Sequence, residues 1–391
     1  MQAYRNCPRY RYLHYHHGGL GFERLSLGLP LITGIAVHEA LARLLQGEAP
    51  DVAIEAAWAS YTEELTRGIA GVSVTPLFLT EQQAMLKGLL YAWAAVRLPI
   101  LLRDYEPVLV EREMLWEMGQ ANGYTLLDMI RCDAVLRRRA DGMLFYLEFK
   151  TTTKGDESWV RSWEHNSQLL INTAALEDLL GERIGGVLIE GLLKGSRRKC
   201  TLKTSRFHEE VIQDSPLCYA FRVRTDGGQW VYTTDWARGA EHFRVSDVFP
   251  EVRTWIAQLP RETVQALFVA VPPIHPSPEH LARHRRQMVF QEETVAFALD
   301  ALKGASSPEV HRALLDCYFP QNDDHCFRYY GSPCDMEPIC FTRAVAADPE
   351  GSGLYKTRVP HHDSEAVRAS TAPDTGTLDT SRSALGIPPH G

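Results

Sequence analysis

Residues 132–153 read C-D-A-V-L-R-R-R-A-D-G-M-L-F-Y-L-E-F-K-T-T-T, and the fold turns on this stretch. Met129 to Arg138 reads as one strand, Arg139 to Gly142 as a turn and Met143 to Lys150 as the returning strand. Asp141-Gly142 is a hairpin signal because both residues tolerate positive φ. Side chains alternate along a strand, so Glu148 and Lys150 share one face while Leu147 and Phe149 share the other. A turn centred on Ala140-Asp141 sets Asp133 opposite Glu148. One centred on Asp141-Gly142 sets it opposite Lys150. Either register gathers two carboxylates and an ammonium on one patch of sheet.

That combination suits a hard divalent cation. Mg²⁺ takes oxygen ligands, keeps several waters and is usually held by one or two carboxylates. Neighbouring carboxylates repel, and a bound cation removes that penalty. A lysine beside the metal orients a water and offsets charge growing on a phosphoryl oxygen. Asp133, Glu148 and Lys150 are therefore a minimal kit for metal-assisted phosphodiester hydrolysis. Glu113, on the preceding V-L-V-E-R-E-M-L-W strand (108–116), is an edge charge that can also approach the metal.

Two flanking stretches extend the pattern. In L-I-T-G-I-A-V-H-E-A-L (31–41), Gly34 precedes His38 by four residues, and the spacing of Ile35, Leu41, Leu44 and Leu45 predicts a helix with His38 in its first turns. Ser158 to Leu180 also reads as helical, with His165 and Gln168 three apart on one face. The order G-x-x-x-H-E, Asp, E-x-K-T, then a helix bearing Gln resembles the RecB/AddB-like branch of the PD-(D/E)XK nucleases, to which CRISPR-adaptation and phage recombination nucleases are similar. The resemblance implies an α/β fold with a mixed central sheet flanked by helices (a restriction-endonuclease-like core). It implies His38 as an extra ligand for Mg²⁺ or Mn²⁺, Asp133 and Glu148 as the core ligands, Lys150 as the catalytic lysine and Gln168 as the glutamine of the helix motif. Cys132 stands where the pattern has Pro. Asn172 stands where the helix motif has Tyr, which removes a substrate-positioning group from the expected helix.

Half of the eight cysteines fall between Cys317 and Cys340, in C-x8-C-x7-C-x5-C. Met1 to Tyr15 carries no apolar run of signal-peptide type, so reduced thiols and a cytoplasmic setting, in a bacterial or phage-infected cell, are expected, and clustered thiols there point to metal rather than disulfides. Cys7, Cys326, Cys334 and Cys340 resemble the iron–sulfur staple of AddB-like and CRISPR-adaptation nucleases, one N-terminal cysteine joining three C-terminal ones around a 4Fe–4S cluster. The alternative is Zn²⁺ on Cys317, Cys326, Cys334 and Cys340, although tight C-x2-4-C pairs are missing. Cys132, Cys200 and Cys218 read as buried free thiols.

Composition sets the frame. At 391 residues, 45% apolar and 9% aromatic, the chain can bury a substantial core. No uninterrupted apolar run is long enough to span a membrane. The net charge of −8 weighs against a nucleic-acid binder, whereas local basic groups (Arg5, Arg9 and Arg11; Arg137 to Arg139; Lys194 to Lys199; Arg283 to Arg286) weigh for one. DNA is the expected partner, with unwinding left to a helicase, recombinase or single-strand-binding partner, because no G-x-x-x-x-G-K-[ST] motif appears. A nuclease domain is expected over 1–343, with a helical insertion at 36–100, the motif-bearing core at 108–193, a cysteine-rich segment at 317–343 that closes on Cys7, and a disordered tail at 344–391. Gly185 to Leu193 reads as a strand, Tyr219 to Thr233 as a meander and Val245 to Leu302 as helices. The alternatives to a DNA nuclease are a non-catalytic DNA-binding subunit of a processing complex and an RNA-directed nuclease.

Overall fold

The computed structural model describes residues 6–359 apart from 27, 68–73, 75, 122, 153–154, 195, 202–207, 214–220, 225–229, 234–241, 244–251, 259 and 329–331. Arg5, Cys218 and the tail from 360 lie outside the described residues. The chain divides into two compact units. One consists of the described parts of Met1–Ser26, Met118–Leu126 and Arg286–Gly391; the other, of Leu27–Glu117 and Leu127–Arg285, carries the hairpin.

The larger unit opens with helices α1 (Leu29–Leu45), α2 (Pro50–Thr66), α3 (Pro76–Val96) and α4 (Leu98–Asp104). Pro sits in the first turn of α1, α2 and α4, where its missing N–H costs nothing. Strands β1 (Tyr105–Ala121), β2 (Tyr124–Arg138) and β3 (Leu144–Thr152) follow, then α5 (Glu157–Ser162), α6 (Ser167–Leu180), β4 (Ile184–Leu193) and, much later, β5 (Phe268–Ile274). The sheet order is β5-β4-β3-β2-β1. β3 and β4 run parallel while β2–β3 and β4–β5 are antiparallel, so the sheet is mixed as expected. α5 and α6 form the crossover between the two parallel strands, the connection such a pair requires.

The pairing of β2 with β3 selects between the two registers. Ala134 faces Leu147 and Arg137 faces Leu144, which is the turn centred on Ala140-Asp141. Only Gly142 uses positive φ (+75°); Asp141 instead accepts from the Met143 N–H and pairs with Arg138. β3 is buried from Leu144 to Phe149, without alternation, because helices cover both of its faces. On one face Leu147 and Phe149 join Ala134, Leu136 and Leu192 in a core with Val37, Leu41, Ile54, Leu89 and Trp93 of α1–α3. α6 covers the other face, capped by Asn166, whose side chain accepts from the Gln168 and Leu169 N–H groups.

Several expectations are corrected here. The first helix starts at Leu29, five residues before Gly34, so His38 lies mid-helix. The helical region expected at 36–100 runs as helices from 29 to 104, and α1–α3 form a core with the sheet. Within 245–302, read as helical, F-V-A-V-P-P-I (268–274) is an edge strand. Its register shifts between Val271 and Ile274, the position of Pro272 and Pro273, which an edge strand tolerates and a central one does not. The meander expected near 219–233 is present as the antiparallel strands Phe221–Arg224 and Trp230–Thr233, part of a five-stranded antiparallel sheet built from segments between Ser196 and Phe243. Met85–Asp104 is long and apolar enough by composition to cross a membrane, yet it is divided between α3 and α4, and Leu86, Leu89, Leu90 and Trp93 are wholly buried in the core.

In the smaller unit, helix Pro8–Tyr15 lies against the C-terminal segment. The Arg9 N–H donates to Pro320 O (3.2 Å), its Nε to Phe319 O (2.8 Å), and Asn322 Nδ2 to Asn6 O (2.8 Å). Residues 344–359, expected to lack structure, form a short helix (Arg343–Ala347) and a strand (Tyr355–Thr357) paired with Phe22–Arg24. The buried ring of Tyr355, packed among Phe22, Met336 and Ile339, accounts for this: a single large aromatic supplies the apolar area that the composition of the segment understates.

Candidate metal centre

Three elements deliver the site. Asp133 comes from β2, Glu148 and Lys150 from β3, and His38 from the middle of α1. Asp133 is pinned by the hairpin: its Oδ2 accepts from the Phe149 N–H at 2.6 Å, leaving Oδ1 for His38 Nδ1 at 2.9 Å. Phe149 also meets the His38 ring edge-on, with centroids 6.2 Å apart, which orients the imidazole.

A fourth element, β1, contributes a fifth residue. Glu111 places Oε1 3.8 Å from His38 Nδ1, and ligand atoms of His38, Glu111 and Asp133 all lie within 4.8 Å of one another. Glu113, the residue of this strand considered from sequence, lies farther out, 3.9 Å from Arg131 Nη1 and largely exposed. The backbone explains the choice. Glu111 has φ +46°, the only positive φ at a non-glycine among the described residues, and such a conformation costs on the order of 1–3 kcal/mol. A regular strand would give Glu111 and Glu113 equivalent directions, and no residue type in V-L-V-E-R-E marks the distortion. Arg131, two residues before Asp133, donates Nε to Glu111 Oε2 at 2.7 Å and fixes the carboxylate from outside.

Glu148 is not in that close set. Its side chain is almost wholly buried, and its oxygens are taken up by donors. Lys150 Nζ and Gln168 Nε2 (3.1 Å) donate to Oε1, and the Tyr146 hydroxyl donates to Oε2. Gln168 thus reaches the site from the first turn of α6, while Asn172, one helical turn on, faces Tyr146. Lys150 Nζ also lies 5.8 Å from the centre of the Trp163 ring, which meets Trp159 edge-on. Trp159 fits against β4 because Gly191, abreast of Lys150 in the parallel register, has no Cβ; one there would stand 2.7 Å from the indole.

The electrostatics are those of a cation site. Burial pushes the Glu148 pKa up, Asp133's charge pushes it further, and Lys150 only partly opposes them. For His38, burial pulls the pKa down, but the hydrogen bond and charge of Asp133 outweigh it, so the net direction is up. Burial, reinforced by Glu148 and Asp133, holds the Tyr146 hydroxyl far above its usual range, so it remains a donor. Protons and ammonium groups thus occupy the positions from which a divalent cation would relieve the crowded carboxylates. The donor set fits such an ion: one imidazole nitrogen and carboxylate oxygens, converging from three elements.

In the smaller unit the thiols of Cys326 and Cys340 both feel the charges of Cys7 and Cys334. Burial raises the Cys326 thiol, and the charges of Asp323, Cys334 and Cys7 add to it. The Cys340 thiol is pushed up to about 11, first by burial, with Cys7 and Cys334 contributing. The Cys334 N–H donates to Cys326 O at 2.7 Å. Cys317 is exposed on helix Pro308–Tyr318. Cys132 is buried in the sheet with its thiol up at about 11, as a packing residue.

Carboxylates on adjacent strands of a mixed sheet, with a lysine two residues beyond one of them and a histidine from the covering helix, form an arrangement that could hold a divalent cation. The chain belongs to the PD-(D/E)XK nuclease superfamily, whose sequence profile matches residues 1–340. Membership implies metal-dependent nuclease activity, hydrolysis acting on nucleic acid. No curated protein sequence matches the chain.

Proposed function

We propose that the protein is a Mg²⁺- or Mn²⁺-dependent deoxyribonuclease of the RecB/AddB-like branch, acting as an exonuclease in recombination, repair or DNA processing in the cytoplasm. The observation that carries the reading is the meeting of His38, Glu111 and Asp133 beside the buried Glu148–Lys150 pair. His38, Asp133 and Glu148 serve as ligands, joined by Glu111. A divalent cation held there supplies charge against the phosphoryl oxygens and acidifies an attacking water. Lys150 offers its ammonium to the charge that grows on the phosphate, and Gln168 keeps Glu148 Oε1 in place as Lys150 turns to the substrate. An imidazole among carboxylates favours Mn²⁺ over Mg²⁺.

Cys7, Cys326, Cys334 and Cys340 hold a 4Fe–4S cluster in this reading. Support comes from the mutual electrostatic influence of these thiols across the two ends of the chain. A zinc ion with four sulfurs at about 2.3 Å would draw them within about 4 Å of one another. Among the described residues no three cysteine sulfurs lie within 4.8 Å of one another. Single- or double-stranded DNA is the substrate, delivered by a helicase, recombinase or single-strand-binding partner.

The test is cleavage by the purified protein of end-labelled single-stranded DNA, double-stranded DNA and RNA of one sequence, with Mn²⁺, Mg²⁺ or a chelator. Progressive shortening of DNA from an end, dependent on the cation, is expected. Cleavage confined to RNA, or unaffected by chelation, contradicts the reading.

A further inference from the structure

Tyr146 and Asn172 form a buried polar pair behind the site. Tyr146 is fully buried and Asn172 is 5% exposed. Tyr146 lies two residues before Glu148 on β3, so both project from the same face of the sheet, towards α6. Asn172 Nδ2 donates to the Tyr146 hydroxyl at 2.8 Å and to the Arg131 carbonyl at 3.3 Å. Both partners of this nitrogen are oxygens, one of them a carbonyl that can only accept, which fixes the orientation of the amide.

The direction of the next bond follows. A tyrosine hydroxyl has one proton; since it accepts from Asn172, that proton is free to point at Glu148 Oε2, which among the described residues has no other donor. Glu148 Oε2 is thereby anchored from behind, and Oε1, still held by Gln168, is left as the oxygen that exchanges Lys150 for another partner. The Arg131 carbonyl ties the same amide to β2, on the strand that carries Asp133. One side-chain amide thus holds both carboxylate-bearing strands in relation to the helix.

We infer that Asn172 and Tyr146 are positioning residues that act in series, Asn172 directing the Tyr146 proton and Tyr146 presenting Glu148 Oε1 to the divalent cation. The inference rests on the reading of Glu148 as a metal ligand. Groups that orient a metal-binding side chain from behind commonly change metal affinity by about 10–100-fold when removed.

The experiment measures Mn²⁺ binding to the full chain, from the electron paramagnetic resonance signal of free Mn²⁺, for wild type, Tyr146→Phe, Asn172→Leu, the double variant and Glu148→Ala. Near-ultraviolet circular dichroism checks the packing of each. Tyr146→Phe is expected to weaken Mn²⁺ binding by about tenfold or more. Asn172→Leu should weaken it in the wild-type background and add less than about twofold on top of Tyr146→Phe, because its effect passes through the hydroxyl. A merely structural role would not produce that non-additivity in metal affinity. If Tyr146→Phe fails to fold, Asn172→Leu alone decides: an affinity equal to wild type overturns the inference. So does a folded Tyr146→Phe protein that binds Mn²⁺ as wild type does, or full additivity of the two substitutions. Weakened binding in Glu148→Ala with none in Tyr146→Phe overturns this inference alone; undiminished binding in Glu148→Ala overturns the ligand reading beneath it as well.

Discussion

The metal centre and the cysteine corner are built in opposite ways. Asp133 and Glu148 lie fifteen positions apart and are brought together by one hairpin register, backed by a core of helices on each face. Cys7 and Cys326 lie 319 positions apart (326 − 7), and their segments are joined by a handful of bonds from Asn6 and Arg9 to residues 316–322. In the first region the fold imposes the site against its own electrostatics. In the second, the proposed cluster would itself be part of what holds the ends together. Substitutions should therefore divide: those at the metal centre remove activity and spare stability, while those at the cysteines remove stability.

The largest effect expected is on catalysis. Asp133→Ala, Glu148→Ala and Lys150→Ala should each lower cleavage by at least about 10²–10³-fold, the order seen when one preorganised charge is lost, with cooperative unfolding preserved. Near-wild-type turnover in any of them removes that residue from the mechanism. Next, Cys7→Ala should bleach the brown colour expected of protein purified without oxygen and lower the unfolding midpoint by more than about 5 °C. Colourless wild-type protein that binds one zinc, with Cys7→Ala silent and Cys317→Ala destabilising, would replace iron with zinc and erase the contrast.

Two smaller effects sharpen the metal side. Glu111→Gln should weaken Mn²⁺ binding by about tenfold and Glu113→Gln by less than about twofold. Equal losses would mean that the turned backbone at Glu111 has no bearing on the metal. The response to pH is the mildest effect. The pKa values of His38 and Glu148 are both raised in the fold, so each favours the folded state while protonated. That contribution is present below each group's ordinary value and is lost as pH rises through its folded value. Mn²⁺ needs both groups deprotonated, so the rise in melting temperature it causes should be small near pH 5.5 and grow towards pH 8. A Mn²⁺ shift that shrinks as pH rises would contradict the ligand assignment.

The sequence was legible where chemistry and geometry share a local signal. D-G between two apolar runs marked the hairpin, alternation put Glu148 with Lys150, and the resemblance to the helix motif put Gln168 behind the site, where it contacts Glu148. It was silent where a side chain's role depends on a backbone departure or a distant partner. Glu111 is reached only through a positive φ that no residue type announces. Nothing in the sequence sets Tyr146 apart, and Asn172 reads as the loss of a tyrosine; their hydrogen bonds place both behind Glu148. The strand Phe268–Ile274 was hidden by its two prolines, which argue against a strand everywhere except at a sheet edge.

The central claim is that a divalent cation sits among residues from α1, β1, β2 and β3. Anomalous scattering at the manganese edge from crystals grown with Mn²⁺ tests it most directly. A peak is expected in contact with His38, Asp133 and Glu111, with Glu148 turned to meet it, at ligand distances of roughly 2.0–2.3 Å. Manganese that binds only elsewhere, with His38 and Asp133 still bonded to each other, would contradict the account.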